Sequence, residues 1–144
     1  NVGIMAEDLP ESHNRVTLDP DLKDGSGIPA PKVSYRMSEN SMRILNHGIE
    51  KGRQVMQAAG ARDMISHAPL RPTGWHLMGT ARMGTDPENS VVNAWGRCHD
   101  VRNLFIIDGS IFVTSAAVNP TSTIQALALY VADSIKKNLA DLFD

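Results

Sequence analysis

The segment that most restricts how this chain can fold is its C-terminal end. After Asn119-Pro120, apolar residues recur at Ile124, Leu127, Ala128, Val131, Ile135, Leu139 and Leu142. That spacing puts them on one face of a helix, and such a face must be buried against something. Pro120 suits the first helical position and Asn119 the cap before it. A second amphipathic stretch follows Ser38, a plausible N-cap with Glu39 in the first turn. Met42, Leu45, Ile49 and Met56 recur there at helical spacing, and Gly60 marks the end. This Met-rich stripe reads as core packing.

Strand signals are shorter. Val16-Thr17-Leu18 reads as a strand, and Lys32 to Met37 alternates so that Val33, Tyr35 and Met37 share a face. Between them, Asp19 to Pro31 has the composition of a loop, with Pro20, Gly25, Gly27, Pro29 and Pro31. Two strands so joined predict an antiparallel pair. Residues 66–74 are rich in breakers, and Leu104-Phe105-Ile106-Ile107 fits a buried strand. The expected fold class is α+β.

Composition removes several function classes. The 144 residues are 42% hydrophobic and 21% charged, which fits a soluble globular chain of about one domain. With 14 basic against 16 acidic residues and no basic stripe, nucleic acid has no electrostatic case. A single cysteine, Cys98, excludes an internal disulfide and any multi-cysteine metal centre. No apolar run approaches the roughly 18 residues of a membrane span. The first ten residues, Asn1 to Pro10, lack the pattern of a signal peptide.

Most catalytic motifs fail on context. His13, His47, His67, His76 and His99 have no metal-ligand spacing, so no metal is expected. There is no nucleophile elbow of the Gly-x-Ser-x-Gly type. Gly25-Ser26-Gly27-Ile28-Pro29-Ala30 matches a dinucleotide pattern formally. A polar stretch precedes it, however, and Pro29 and Pro31 forbid the following helix. Gly79 to Gly84 has phosphate-loop spacing, but Thr85-Asp86 follows instead of Lys-Ser/Thr.

Two segments remain. In Gly74-Trp75-His76-Leu77-Met78-Gly79-Thr80-Ala81-Arg82-Met83-Gly84, a histidine stands among small and apolar residues. Histidine is the natural general base near neutral pH. Taken alone, the spacing favours a core histidine satisfied by a backbone partner. The second segment is Asp108-Gly109-Ser110 followed by Val118-Asn119-Pro120-Thr121, where a helix N-terminus suits an anion or an electron-rich ring. Its bland reading is an ordinary capped helix.

Together, these segments resemble the C-terminal region of the glucose–methanol–choline (GMC) family of flavin-dependent oxidoreductases. Four ordered blocks carry the resemblance: His76 to Gly84, Val91-Val92-Asn93, Asn103 to Ser110, and Asn119-Pro120-Thr121. The resemblance covers about residues 74 to 137, and residues 1–73 look more loosely like the adjoining part of the substrate domain. Ala81 stands where the family often has Cys, and Cys98 reads as structural.

The resemblance implies an FAD enzyme that oxidises a CH–OH group, the hydride passing to flavin N5. It implies that His76 takes the hydroxyl proton and Asn119 holds the substrate oxygen. An amide is no base at neutral pH. Asp108 and Gly109 would lie near the ribityl and pyrophosphate of FAD, and Pro120 and Thr121 would face the flavin's pyrimidine edge. The architecture implied is a substrate-domain portion at 1–73, an antiparallel sheet with helices. A strand–helix segment at 74–144 would then return to the FAD-binding domain.

No believable FAD fingerprint occurs and the first residue is not Met. The chain is therefore expected to be the C-terminal piece of a longer enzyme, inactive without its N-terminal FAD domain. Substrates would be an alcohol, sugar or sugar acid, as in the bacterial sugar, polyol and sugar-acid dehydrogenases that it resembles. A non-catalytic binding or structural module of the same shape is the alternative. His76 with Asn119 weighs towards an enzyme.

Overall fold

A computed structural model of the protein describes residues 1–70, 75–115 and 118–138. Gly74, Leu139 and Leu142 from the sequence reading lie outside them, as do residues 71–73 of the breaker-rich connection. The chain divides into two compact units, Asn1–His67 and Ala68–Asp144. The described elements are two helices and a two-stranded antiparallel sheet, an α+β composition.

The first unit holds strands β1 (Arg15–Lys23) and β2 (Pro29–Ser34) and helix α1 (Glu39–Ala58). Val16 pairs with Val33 and Leu18 with Pro31, and the register then slips so that Lys23 pairs with Pro29. Much of the stretch from Asp19 to Pro31 is therefore strand, against the loop expected from its composition. Two aspartates make this possible. Asp19 Oδ1 accepts from the amides of Asp21 (2.9 Å) and Leu22 (3.0 Å), taking up donors where the ladder breaks. The Leu22 bond and then the Asp21 bond hold the Asp19 carboxyl below its usual range. Asp24 Oδ1 likewise accepts from Ser26 (2.8 Å) and Ile28 (3.0 Å), closing the turn.

The second strand begins and ends earlier than its alternation implies. It stops at Ser34, so Tyr35 and Met37 are not on it. Val33 and Tyr35 are exposed, as are Leu18 and Leu22 on the opposite part of the hairpin. Helix α1 starts as expected, with Ser38 Oγ accepting from the Ser41 amide (3.1 Å). Met42, Leu45, Ile49 and Met56 are half-buried. The deeply buried α1 residues are instead Ser41 and Gly52. Ile4 explains this: its side chain lies where a Cβ on Gly48 or Gly52 would fall, at 2.7 and 2.8 Å. Small residues therefore line the groove that seats the N-terminal strand of chain, while Leu9 donates its amide to Ser41 Oγ (3.2 Å).

The second unit has little regular strand. Its core is Val92, Cys98 and Ile111, packed by Met83, Ile106, Phe112 and Leu127. Backbone bridges Met83–Val92 and Val92–Cys98 run through it. Leu104 to Ile107 does not form the buried strand that its composition implies. Only Phe105 bridges, to Arg97, and Leu104 is exposed. An apolar run becomes a buried strand only between paired neighbours, and here one bridge is all it makes among the described residues.

Residues 79–83 run beside a single 3-10 turn, Gly109–Ile111. The amides of Gly79, Ala81 and Met83 donate to the carbonyls of Gly109 (3.4 Å), Ser110 (2.9 Å) and Ile111 (2.8 Å). Helix α2 (Thr121–Lys137) follows. Its cap position is Pro120, whose carbonyl accepts from Ile124 (2.9 Å), and no side chain caps it. Asn119 is therefore not the cap. Proline disfavours helical geometry in the residue before it, and its ring supplies no acceptor. On α2, Val131 is fully buried and Ile124, Leu127, Ala128 and Ile135 are half-buried, so the expected face is the packed one.

Two outcomes follow from this packing. Gly79 has φ +85°, and a Cβ there would lie 3.2 Å from the Phe112 carbonyl oxygen. Gly79→Ala is expected to destabilise the protein by about 1–2 kcal/mol in urea unfolding, the cost of a left-handed residue with a side chain. An unchanged midpoint would show the segment to be free to move away. In the first unit, the Tyr35 hydroxyl donates to Asp8 Oδ2 (2.7 Å). Partial burial of the hydroxyl, then that bond and the Asp8 charge, push the Tyr35 phenol from 10.0 up to about 12. The folded state thus holds the proton more tightly. Its contribution is complete below the unfolded phenol's pKa, near ~10, and disappears as pH rises through the folded value. The ring is mostly exposed, so the contribution is small. Stability of Tyr35→Phe against pH should lack this alkaline loss, and a curve parallel to the parent's would refute the assignment.

Candidate active site

The predicted site segments converge on Gly109. A Cβ built on Gly109 would lie 3.3 Å from the Leu77 carbonyl oxygen, 3.4 Å from Ile124 Cδ1 and 3.7 Å from Met78 Cγ. The segment after His76, the 3-10 turn and the first turn of α2 therefore meet at one glycine, where a side chain would hold them apart. Leu77 follows His76 directly, and Ile124 lies one helical turn beyond Pro120 and Thr121.

His76 is exposed, and its ring has no hydrogen-bond partner among the described residues. It is thus not the backbone-satisfied core histidine that its spacing by itself favours. Asn119 is also exposed, its amide unpartnered among the described residues. Pro120 is half-buried and Thr121 is exposed at the start of α2. With no side-chain cap there, the α2 N-terminus keeps amide donors and the positive end of the helix dipole for an electron-rich group. A helix start of this kind is chemically compatible with the electron-rich edge of a flavin ring.

Asp108 has a role that its position alone did not reveal. Its Oδ1 accepts from the Ser110 amide (2.8 Å) and from the Ser110 hydroxyl. The hydroxyl bond, followed by the amide bond, holds the Asp108 carboxyl below its usual range. Ser110, which the sequence reading left without a task, is the partner in both. The signal was present as Asp-x-Ser, the spacing at which an aspartate closes a turn on its own chain.

Cys98 sits buried in the core cluster, beside Val92 and Ile111. Of the histidines in this unit, His99 is engaged. His99 Nε2 lies 3.0 Å from Ser90 Oγ and 3.2 Å from the Gly84 carbonyl oxygen. A carbonyl only accepts, so Nε2 carries the proton, while Ser90 Oγ donates to the Asp86 carbonyl. That arrangement clamps the loop and leaves Ser90 without a base.

A family model described as GMC oxidoreductase matches residues 10–128. The 2-methyl-1,2-propanediol dehydrogenase of Mycolicibacterium austroafricanum is 48% identical over 144 residues, covering 99% of this chain and 26% of that protein. The fructose dehydrogenase large subunit of Gluconobacter japonicus is 37% identical over 133 residues, 92% of this chain and 24% of that protein. The crystal structure of pyridoxine 4-oxidase from Mesorbium loti superposes with a TM-score of 0.66 at 23% identity, covering 90% of this chain and 28% of that one. That last likeness concerns the fold. The chain spans about a quarter of the length of the curated relatives it matches, 26% and 24%. From the extent of the family match and the identity of these relatives, the chain belongs to the GMC oxidoreductase family, in its C-terminal part.

Proposed function

We propose that this chain supplies the proton-handling half of an FAD-dependent oxidoreductase acting on a CH–OH group, completed by an N-terminal FAD domain of the same protein. The observation that carries the reading is the convergence at Gly109. The segment of a solvent-facing histidine, whose ring is unpartnered among the described residues, and the start of a helix without a side-chain cap are packed against one turn. Residues 1–73 serve as the substrate-domain portion and residues 74–144 as the segment carrying the site.

In this reading His76 is the catalytic base. Its neutral ring takes the hydroxyl proton of the substrate, leaving the oxygen's electrons free to form the carbonyl as hydride leaves the carbon. Asn119 donates its amide to the same oxygen and holds it in line, since an amide cannot take the proton. Asp108 and Gly109, at the turn, and Pro120 and Thr121, at the α2 start, face the cofactor. The open α2 amides stabilise negative charge there. The flavin, when bound, supplies the hydride acceptor. The relatives named for a diol and for fructose support a small polyol or sugar as the substrate class, with a sugar acid kept as a further candidate.

In the full-length protein, His76→Ala should keep its flavin, read from the visible absorbance. Its reduction by substrate should slow by about 10²–10⁴-fold in stopped flow. Reduction at the parent rate would refute the base. Asn119→Ala should lose about 1–3 kcal/mol of transition-state binding, read from kcat/KM. A panel of polyols, sugars, sterols and choline-like alcohols tests the substrate class: turnover of only the last two would remove the sugar reading.

A further inference from the structure

Within the turn Gly109–Ile111 the backbone's own bonds are long: Ile111 N to Asp108 O is 3.4 Å and Phe112 N to Gly109 O is 3.3 Å. Both exceed the ordinary range for N–H···O bonds. The Asp108 cap on the Ser110 amide, at 2.8 Å, is the shorter contact and is charge-assisted. The side chain, more than the backbone, therefore holds this turn in shape. The carbonyls of Ser110 and Ile111 in turn accept from Ala81 (2.9 Å) and Met83 (2.8 Å), with a longer contact from Gly79 to Gly109 (3.4 Å), and Gly109 abuts the Leu77 carbonyl, one residue from His76.

We infer that Asp108 is a positioning residue, whose carboxylate shapes the Gly109–Ile111 turn and through its carbonyls fixes the segment that carries His76. This rests on the reading of His76 as the base. The backbone of Asp108 and Gly109 can face a cofactor while the carboxylate is engaged on the turn. Ser110 is its partner: hydroxyl and amide share one carboxylate oxygen. A cofactor-contacting carboxylate would behave differently, because its removal would cost flavin and leave the His76 segment undisturbed.

Three variants of the full-length holoenzyme separate these roles. In Asp108→Ala, hydrogen exchange at the amides of Ala81 and Met83 should rise about tenfold or more, since their acceptors loosen. Flavin content should be unchanged, and kcat should fall about tenfold while KM stays within about twofold, the mark of misplaced chemistry. Asp108→Asn keeps an oxygen that can accept the same two bonds and should restore both protection and kcat to within about twofold of the parent. Ser110→Ala retains the amide bond and should raise exchange by less than Asp108→Ala, which keeps the test usable if that variant does not fold. Unchanged exchange in Asp108→Ala and Ser110→Ala overturns the proposal, as does equal flavin loss in both Asp108 variants with the 79–83 amides still protected. Neither result touches the base assignment, which falls only if His76→Ala is reduced at the parent rate.

Discussion

Two short amide-to-carbonyl bonds, from Ala81 and Met83 to Ser110 and Ile111, and a longer one from Gly79 to Gly109 tie the histidine segment to the turn before α2. The arrangement of the site depends on them. The second unit has few regular elements, so irregular backbone must be satisfied by such cross-links or by water. Below the ladder lies Ile111, almost fully buried with Val92 and Cys98. The turn therefore presents carbonyls to the ladder while its Ile111 side chain anchors the core.

The same economy recurs elsewhere. Asp19, Asp24 and Asp108 each turn one carboxylate oxygen onto two donors nearby in the chain. Asn93 Oδ1 does likewise for the amides of Trp95 (2.9 Å) and Arg97 (3.2 Å). At these four bends a short polar side chain stands in for the ladder. They explain why a stretch with loop composition, Asp19 to Pro31, still continues a hairpin.

Local chemistry was legible where it is governed by near neighbours in sequence. Ser38 caps α1 because a serine oxygen reaches an amide three residues on, whatever else surrounds it. The apolar face of α2 was legible for the same reason: period alone defines it. The face of α1 was only half legible. Its Met and Leu positions are half-buried, but the deepest contact is made by Ile4 over Gly48 and Gly52, a pairing across more than forty residues that period cannot reveal. Asn119 as a cap failed because the proline after it takes the cap position itself.

By itself, the sequence determined the family, the two amphipathic helices, the antiparallel pairing and the candidates His76 and Asn119, because motif order and periodicity are properties of the chain written in one dimension. The tertiary structure decided that Gly109 is the meeting point, that the His76 ring faces solvent with no partner among the described residues, and that the Asp108 carboxylate is engaged on Ser110. Each of these turns on where two distant backbones approach, or on which donor a side chain reaches first. Spacing along the chain does not carry that information, since a contact at Gly109 joins residues about thirty apart on one side and fifteen on the other.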